Sequence, residues 1–129
     1  MTRSDDPGNE PGGPRPASLL HVCAIDLPLP DPHAKSTSPT GQAESSLSIW
    51  NAHPATSAGV WECEPGEFTS AREGYSEICQ VLSGSGSVHG EDGTSADLKA
   101  GSLLVLPAGW RGTWTIREKI RKTYVLFPG

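Results

Sequence analysis

The sequence predicts an all-β fold, and three observations carry that prediction. After Leu47 the chain falls into short runs of β-branched, aromatic and alternating residues that recur about every 8 to 12 positions, the spacing of a strand-rich sandwich or barrel. Turn-forming Gly, Pro, Asp and Ser separate these runs. No stretch of the region repeats its apolar residues at the helical period of about 3.6. Periodicity alone leaves a sandwich and a closed barrel as equal solutions, both of which limit exposed strand edges.

The elements follow in chain order. Residues 1–18 are rich in Pro and Gly, with Pro7, Gly8, Pro11, Gly12, Gly13, Pro14 and Pro16, and nearly devoid of large apolar side chains. Such a stretch cannot offset the entropy of ordering, so it is expected to be disordered. Residues 19–29 (LLHVCAIDLPL) are apolar enough to add one strand near 19–27, with Pro28, Pro30 and Pro32 ending it. Residues 31–46 return to a linker composition. The expected division is a flexible segment over 1–45 and one folded domain over 46–129, and 129 residues leave little room for a second core.

Within the domain, strands are predicted at 47–51, 59–63 and 67–70, the last two joined by a turn over Glu64, Pro65, Gly66 and Glu67. A half-buried strand follows at 75–82. Ser83, Gly84, Ser85 and Gly86 read as a turn, 87–89 as a short strand, and Gly90, Glu91, Asp92 and Gly93 as a hairpin with the favoured Asp-Gly pair. The continuous run SLLVL over 102–106 is stopped by Pro107, Ala108 and Gly109. Strands at 112–117 and 121–127 complete the set.

Charge and composition exclude several roles. The net charge is −5 with a pI near 5.2, and the one basic group, Arg117, Lys119, Arg121 and Lys122, contains Glu118 and reads as a solvated strand end. Nucleic acid needs a concentrated positive face and is not an expected partner. No apolar run approaches the ~20 residues that span a bilayer, and the N-terminus has no leader-like pattern. A cytoplasmic protein with no membrane partner is expected. Cys23, Cys63 and Cys79 lack metal or disulfide spacing and read as reduced thiols, Cys63 and Cys79 in core-like surroundings. His21, His33, His53 and His89 occur singly and read as solvated or structurally satisfied.

Two stretches bear a more specific pattern. Glu77, then ICQVLS, then Gly84 matches the second half of the first motif of the cupin superfamily, and Gly101, SLLVL, Pro107, Ala108 and Gly109 match the first half of its second motif, with 16 residues between Gly84 and Gly101. The region 46–127 thus resembles a cupin. The stretches at 59–63, 75–77, 109–114 and 121–125 look more narrowly similar to the small family related to (S)-ureidoglycine aminohydrolase. This resemblance implies a single cupin-type β-barrel (jelly roll) and a small-molecule ligand. It also implies a homodimer, to which 19–27 could contribute by crossing to the second subunit.

The resemblance also locates what is missing. Cupin histidine positions fall on Ala71 and Glu73, or on Ser70 and Arg72 if the spacing is one residue longer, and the second-motif histidine and asparagine positions fall on Gly112 and Ile116. Of four expected ligands only Glu77 remains, too few for a firmly held first-row metal, so no metal and no other cofactor is expected. A carboxylate site built from Glu73 and Glu77 stays open as an alternative.

If Glu77 faces inward, alternation along a strand brings Glu73, Tyr75 and Cys79 to the same face, and Gly112 brings Trp114 and Ile116. Gly112 would leave space for a ligand. The leading expectation is a metal-independent acid–base enzyme of isomerase, dehydratase or hydrolase type acting on a compact polar metabolite. Glu77 is its acid or base with a pKa raised by burial and by Glu73, Tyr75 and Glu73 orient the substrate, and Trp114, Cys79, Arg72, Arg111 and Lys122 contact it. The alternatives are a metabolite-binding or sensor cupin that converts nothing, and an interaction protein working through its first 45 residues. In the blander reading of the carboxylates, Glu73 sits in water and Glu77 is paired with Lys122, Arg111 or Arg72. Trp61, Trp110 and Trp114 serve as packing or as a stacking surface.

Overall fold

A computed structural model describes residues 17–129. The disorder expected for 1–18 therefore lies, up to residue 16, outside the described residues. Eight strands follow one another: β1 (His33–Ala34), β2 (Ala43–Ala52), β3 (Thr56–Cys63), β4 (Gly66–Ala71), β5 (Tyr75–Gly90), β6 (Ser95–Leu98), β7 (Leu103–Leu106) and β8 (Arg111–Pro128). There is no helix among the described residues. The chain is all-β, and every ladder is antiparallel.

The long strands β5 and β8 pair along most of their length. β8 carries β3 and β4 on its other edge, and β5 carries β6 and β7. One buried cluster draws Cys63 from β3, Phe68 from β4, Cys79, Val81 and Val88 from β5, Leu98 from β6, Leu106 from β7, and Trp114, Ile116 and Ile120 from β8. Six strands can share one core only if the sheet rolls around it, which makes the architecture a barrel.

Two expected breaks are absent. Ser83 to Gly86 is no turn but the irregular middle of β5, with register shifts on both sides of Ser83 and again between Ser85 and Gly86. The glycines serve close approach. A Cβ on Gly84, whose φ is +89°, would stand 2.1 Å from the Lys119 carbonyl oxygen, and one on Gly86 would stand 2.4 Å from that of Thr115. The strands expected at 112–117 and 121–127 are likewise one strand, β8, that bends past these bulges. The hairpin at 90–93 and the stop at 107–109 form as expected, each with a positive-φ glycine, Gly93 and Gly109.

The N-terminal boundary also moves. Residues 31–46 are not a plain linker, because β1 pairs with β2 at His33↔Glu44 and Ala34↔Ala43. Residues 19–27 form no strand. Instead this strap lies across the outer face of the barrel, where Arg121 Nη1 donates to the carbonyls of Ala24 and Leu27 at 2.9 Å each and the Ser45 hydroxyl donates to that of Pro30. Proline at 28, 30 and 32 removes the amide donors a ladder would need, so side chains tie the strap down.

Candidate functional site

Alternation along β5 and β8 builds the pocket. On β5, Glu77, Cys79 and Val81 point inward and are at most 2% exposed. On β8 the inward set is Trp114, Ile116, Ile120, Lys122, Tyr124 and Leu126, every one an even position. The core fills the lower barrel. Above it a cavity of about 270 Å³ is lined by Glu77, Arg72, Lys122, Ser70 and the aromatic rings of Trp61, Phe68, Tyr75, Trp114 and Tyr124, with Lys35, Glu44, Ser46 and Leu126 also reaching it.

Glu77 anchors the floor. Lys122 Nζ lies 2.8 Å from its Oε2, and Arg72 donates to Oε1 through Nε at 2.9 Å and through Nη2. Arg72 Nη1 donates further to the Ser70 hydroxyl at 2.7 Å and to the Ala71 carbonyl. Lys122 sits between two indoles, 4.6 Å from the Trp61 ring and 4.5 Å from the Trp114 ring, and Arg72 stacks over Tyr75. Two cations thus share one carboxylate, and the floor carries a net positive charge. Among the described residues, one Nη2 proton of Arg72 and two protons of Lys122 have no other acceptor.

Higher up, Glu44 accepts from Trp61 Nε1 at 2.8 Å and faces Lys35 at 3.3 Å and His33 at 3.4 Å, so its charge is compensated locally. Trp114 stacks on Phe68 with ring centroids 5.9 Å apart. Its buried Nε1 proton has no acceptor among the described residues.

The titrating groups shift away from neutrality. Burial pushes the Glu77 carboxyl up, but the charges of Lys122 and Arg72 and their hydrogen bonds outweigh it and hold the group below its ordinary value. Burial, and then the Glu77 charge, pushes the Tyr124 phenol up. Burial pushes the Cys79 thiol up to about 11, with Lys122 opposing and Glu77 adding to the rise. The expectation of a raised Glu77 pKa is therefore corrected: its neighbours are cations, and Glu73 is not among them.

Of the residues singled out from the sequence, Glu77, Tyr75, Arg72, Trp114 and Lys122 come together in this cavity. Three do not. Glu73 is carried into solvent because the strand does not continue through Gly74, whose φ is +85°, so alternation cannot be counted back across it. There it pairs with Arg111, the two side chains being 65% and 52% exposed. Arg111 accordingly lies outside the pocket. Cys79 shares the inward face but lies beneath Glu77 in the core, walled off from the cavity. Gly112 does not leave room for a ring either, since a Cβ there would stand 2.5 Å from the Trp110 indole and 2.3 Å from the His89 carbonyl oxygen.

Sequence reasoning missed Lys35, Glu44, Ser46, Phe68, Tyr124 and Leu126, and assigned Trp61 only to packing or stacking. Tyr124 and Leu126 were accessible by counting in twos from Trp114 through Lys122. Lys35 and Glu44 carried no signal, because they arrive through the β1–β2 pairing inside an apparent linker.

A metal does not fit this donor set. Ser70 and Arg72 face the pocket beside Glu77, so the longer spacing is the structural one, and they place a hydroxyl and a guanidinium where two imidazoles would stand. Both oxygens of Glu77 are already held by protein cations. All four histidines are exposed, and no group of three or more His, Cys, Asp or Glu among the described residues could hold an ion.

A rolled antiparallel sheet with a charged pocket in its upper half defines a single-domain cupin. Residues 46–124 match the model of the EutQ-like cupin domain, and the chain belongs to that family. Among solved structures it is similar to the EutQ protein of Clostridium difficile, at 20% identity over 74% of this chain and 76% of that one, with a TM-score of 0.62. It is also similar to a predicted oxalate decarboxylase of Thermotoga maritima, at 17% identity over 85% and 100% with a TM-score of 0.64. Ectoine synthase from P. lautus matches at 15% identity over 74% and 68% with a TM-score of 0.62. At these identities the likeness is one of fold. A search of the curated proteins finds no match. The family match is to the EutQ-like domain, and the narrower likeness to ureidoglycine aminohydrolase is not among these findings.

Proposed function

We propose that this chain is a metal-independent cupin that binds a small, planar monoanion such as a carboxylate, and that Glu77 is a structural counter-ion and not an acid–base catalyst. The observation that carries this reading is the floor itself: two cations, the buried Lys122 and the half-buried Arg72, share the single carboxylate of Glu77 and leave the floor with an excess positive charge. An incoming carboxylate accepts from Arg72 and Lys122, neutralises the excess charge, and lays its planar body against Tyr75 and Trp61.

The acid–base reading loses support from the same geometry. General acid–base work needs a group brought towards neutrality, whereas Glu77 moves down and Tyr124 and Cys79 move up. Glu77 in addition has both oxygens occupied. The likeness to ureidoglycine aminohydrolase supplies no catalytic set, because the ligand positions it would require carry Ser70, Arg72 and Gly112.

The test is calorimetric titration of benzoate, benzamide and benzylammonium, which share one shape and differ in charge. Benzoate is expected to bind at least tenfold more tightly than the other two, and Lys122→Met to abolish the difference while the variant still unfolds cooperatively. Equal binding of all three, or preference for the cation, refutes the reading.

A further inference from the structure

Trp61 joins the two ends of the cavity. The Lys122 ammonium of the floor stands over its ring, 4.6 Å from the centroid, and its Nε1 donates at 2.8 Å to Oε1 of Glu44 at the upper end. Lys122 and Glu44 line the same cavity. An indole nitrogen lies about 2 Å from its ring centroid, so an ammonium above the ring face and a carboxylate oxygen in the ring plane stand about 7 Å apart. Two hydrogen bonds of ordinary length and angle take up most of that distance. A ligand that accepts from Lys122 and donates to Glu44 therefore carries its acceptor and its donor about 3 Å apart. This is the separation between a carboxylate oxygen and a hydroxyl on the adjacent carbon, and a hydroxyl across a ring lies too far away.

Charge narrows the class further. The cavity wall holds three cations, Lys35, Arg72 and Lys122, against the two carboxylates of Glu44 and Glu77. The excess of one matches a ligand of charge −1. A 2-amino acid carries an ammonium beside its carboxylate and has no net charge to offer. Lys35, 3.3 Å from Glu44, also balances that carboxylate, so a neutral donor suits it better than a second ammonium. An ionised carboxylate accepts at about four sites, and Trp61, Lys35 and His33 occupy at most three of those on Glu44.

We infer that the ligand is a 2-hydroxy carboxylate and that Glu44 selects it, accepting from the 2-hydroxyl while Arg72 and Lys122 hold the carboxylate. The inference rests on the anion reading of the floor and adds to it the position of a second group. Glu44 is placed for this by the β1–β2 ladder, which sets it opposite His33 and brings Lys35 to the same end of the cavity. Carboxylate, hydroxyl and apolar body are then three substituents of one carbon, each with its own partner. Such a site distinguishes mirror images.

Calorimetric titration with phenylacetate, the two enantiomers of mandelate and those of phenylglycine tests this, because the ligands share a phenyl ring and a carboxylate and differ at carbon 2. One mandelate enantiomer is expected to bind at least tenfold more tightly than phenylacetate and than either phenylglycine. Glu44→Met is expected to bring mandelate down to the level of phenylacetate. Should that variant fail to fold, the comparison of ligands on the wild-type chain decides. Mandelate that binds no better than phenylacetate, enantiomers that bind equally, phenylglycine that binds best, or a mandelate advantage that survives Glu44→Met would each overturn the inference. In those cases phenylacetate and benzoate still bind, and the floor remains an anion site. If neither they nor mandelate bind, the anion reading falls and the inference with it.

Discussion

Glu77→Gln separates a counter-ion from a catalyst, because the two roles predict opposite changes in the same protein. The side chain is 3% exposed and bonded to two cations, with Lys122 at 2.8 Å. The amide removes their shared negative charge and turns one oxygen into a donor facing donors. Breaking a buried ion pair from one side costs about 3–5 kcal/mol, which at roughly 4 °C per kcal/mol for a domain of this size lowers Tm by ~12–20 °C. The empty charge then favours an anion. Benzoate affinity should rise about tenfold, the worth of one charge-assisted hydrogen bond of ~1.5 kcal/mol. At 100 times its dissociation constant benzoate should return about 2.7 kcal/mol of stability. Thermal unfolding followed by circular dichroism, with and without benzoate, gives both quantities. A tenfold loss of benzoate affinity in a variant that remains folded would refute the reasoning, and loss of turnover on an identified substrate would restore the catalytic role.

Other expectations follow from the same geometry. Glu77 has a folded pKa below its ordinary value of 4.5, so its contribution is fully present above pH 4.5 and is lost as pH falls through the lower folded value. Urea unfolding at a series of pH values should show this acid loss in the wild type and its reduction in Glu77→Gln. Burial pushes both Cys63 and Cys79 up to about 11, whereas Cys23 is exposed. Iodoacetamide at pH 8 should therefore modify Cys23 alone in the native protein and all three thiols in urea, read by mass spectrometry. Gly84→Ala forces a Cβ against the Lys119 carbonyl at positive φ and should destabilise the fold by more than ~1 kcal/mol, measured by urea midpoint. Gly112→His should lower Tm rather than build a metal site, because Trp110 and the His89 carbonyl occupy the space.

What the sequence made legible was the class of fold and one fixed point within it. Strand-forming runs and turn residues are local signals, and the spacing from Glu77 to Gly84 and from Gly101 to Gly109 tied them to a known arrangement. The errors occurred where a local signal had a non-local cause. Ser83 to Gly86 has a turn's composition, but Gly84 and Gly86 are required by the backbone of β8 pressing against β5. The strap is apolar enough for a strand, yet its prolines leave it held by Arg121 and Ser45, residues distant in sequence.

The site divides along the same line. Counting in twos from a motif residue finds the inward face as long as the strand is unbroken, which is why Glu77 led to Tyr75 in the pocket and Gly112 to Trp114, while Cys79 shares that face but lies below the pocket in the core. Across Gly74 the count fails, and Glu73 leaves while Arg72 enters. An arginine at a histidine position reads in sequence as the loss of a ligand. In space the guanidinium takes up one oxygen of Glu77 and the Lys122 ammonium the other, while Trp61 and Trp114 flank the ammonium. The positive charge that the carboxylate faces is thus supplied by side chains, whose unused protons point the chemistry of the pocket towards an anion. That compensation depends on two residues 50 positions apart, Arg72 and Lys122, and on the β5–β8 register that sets Val81 opposite Lys122. No local pattern encodes it.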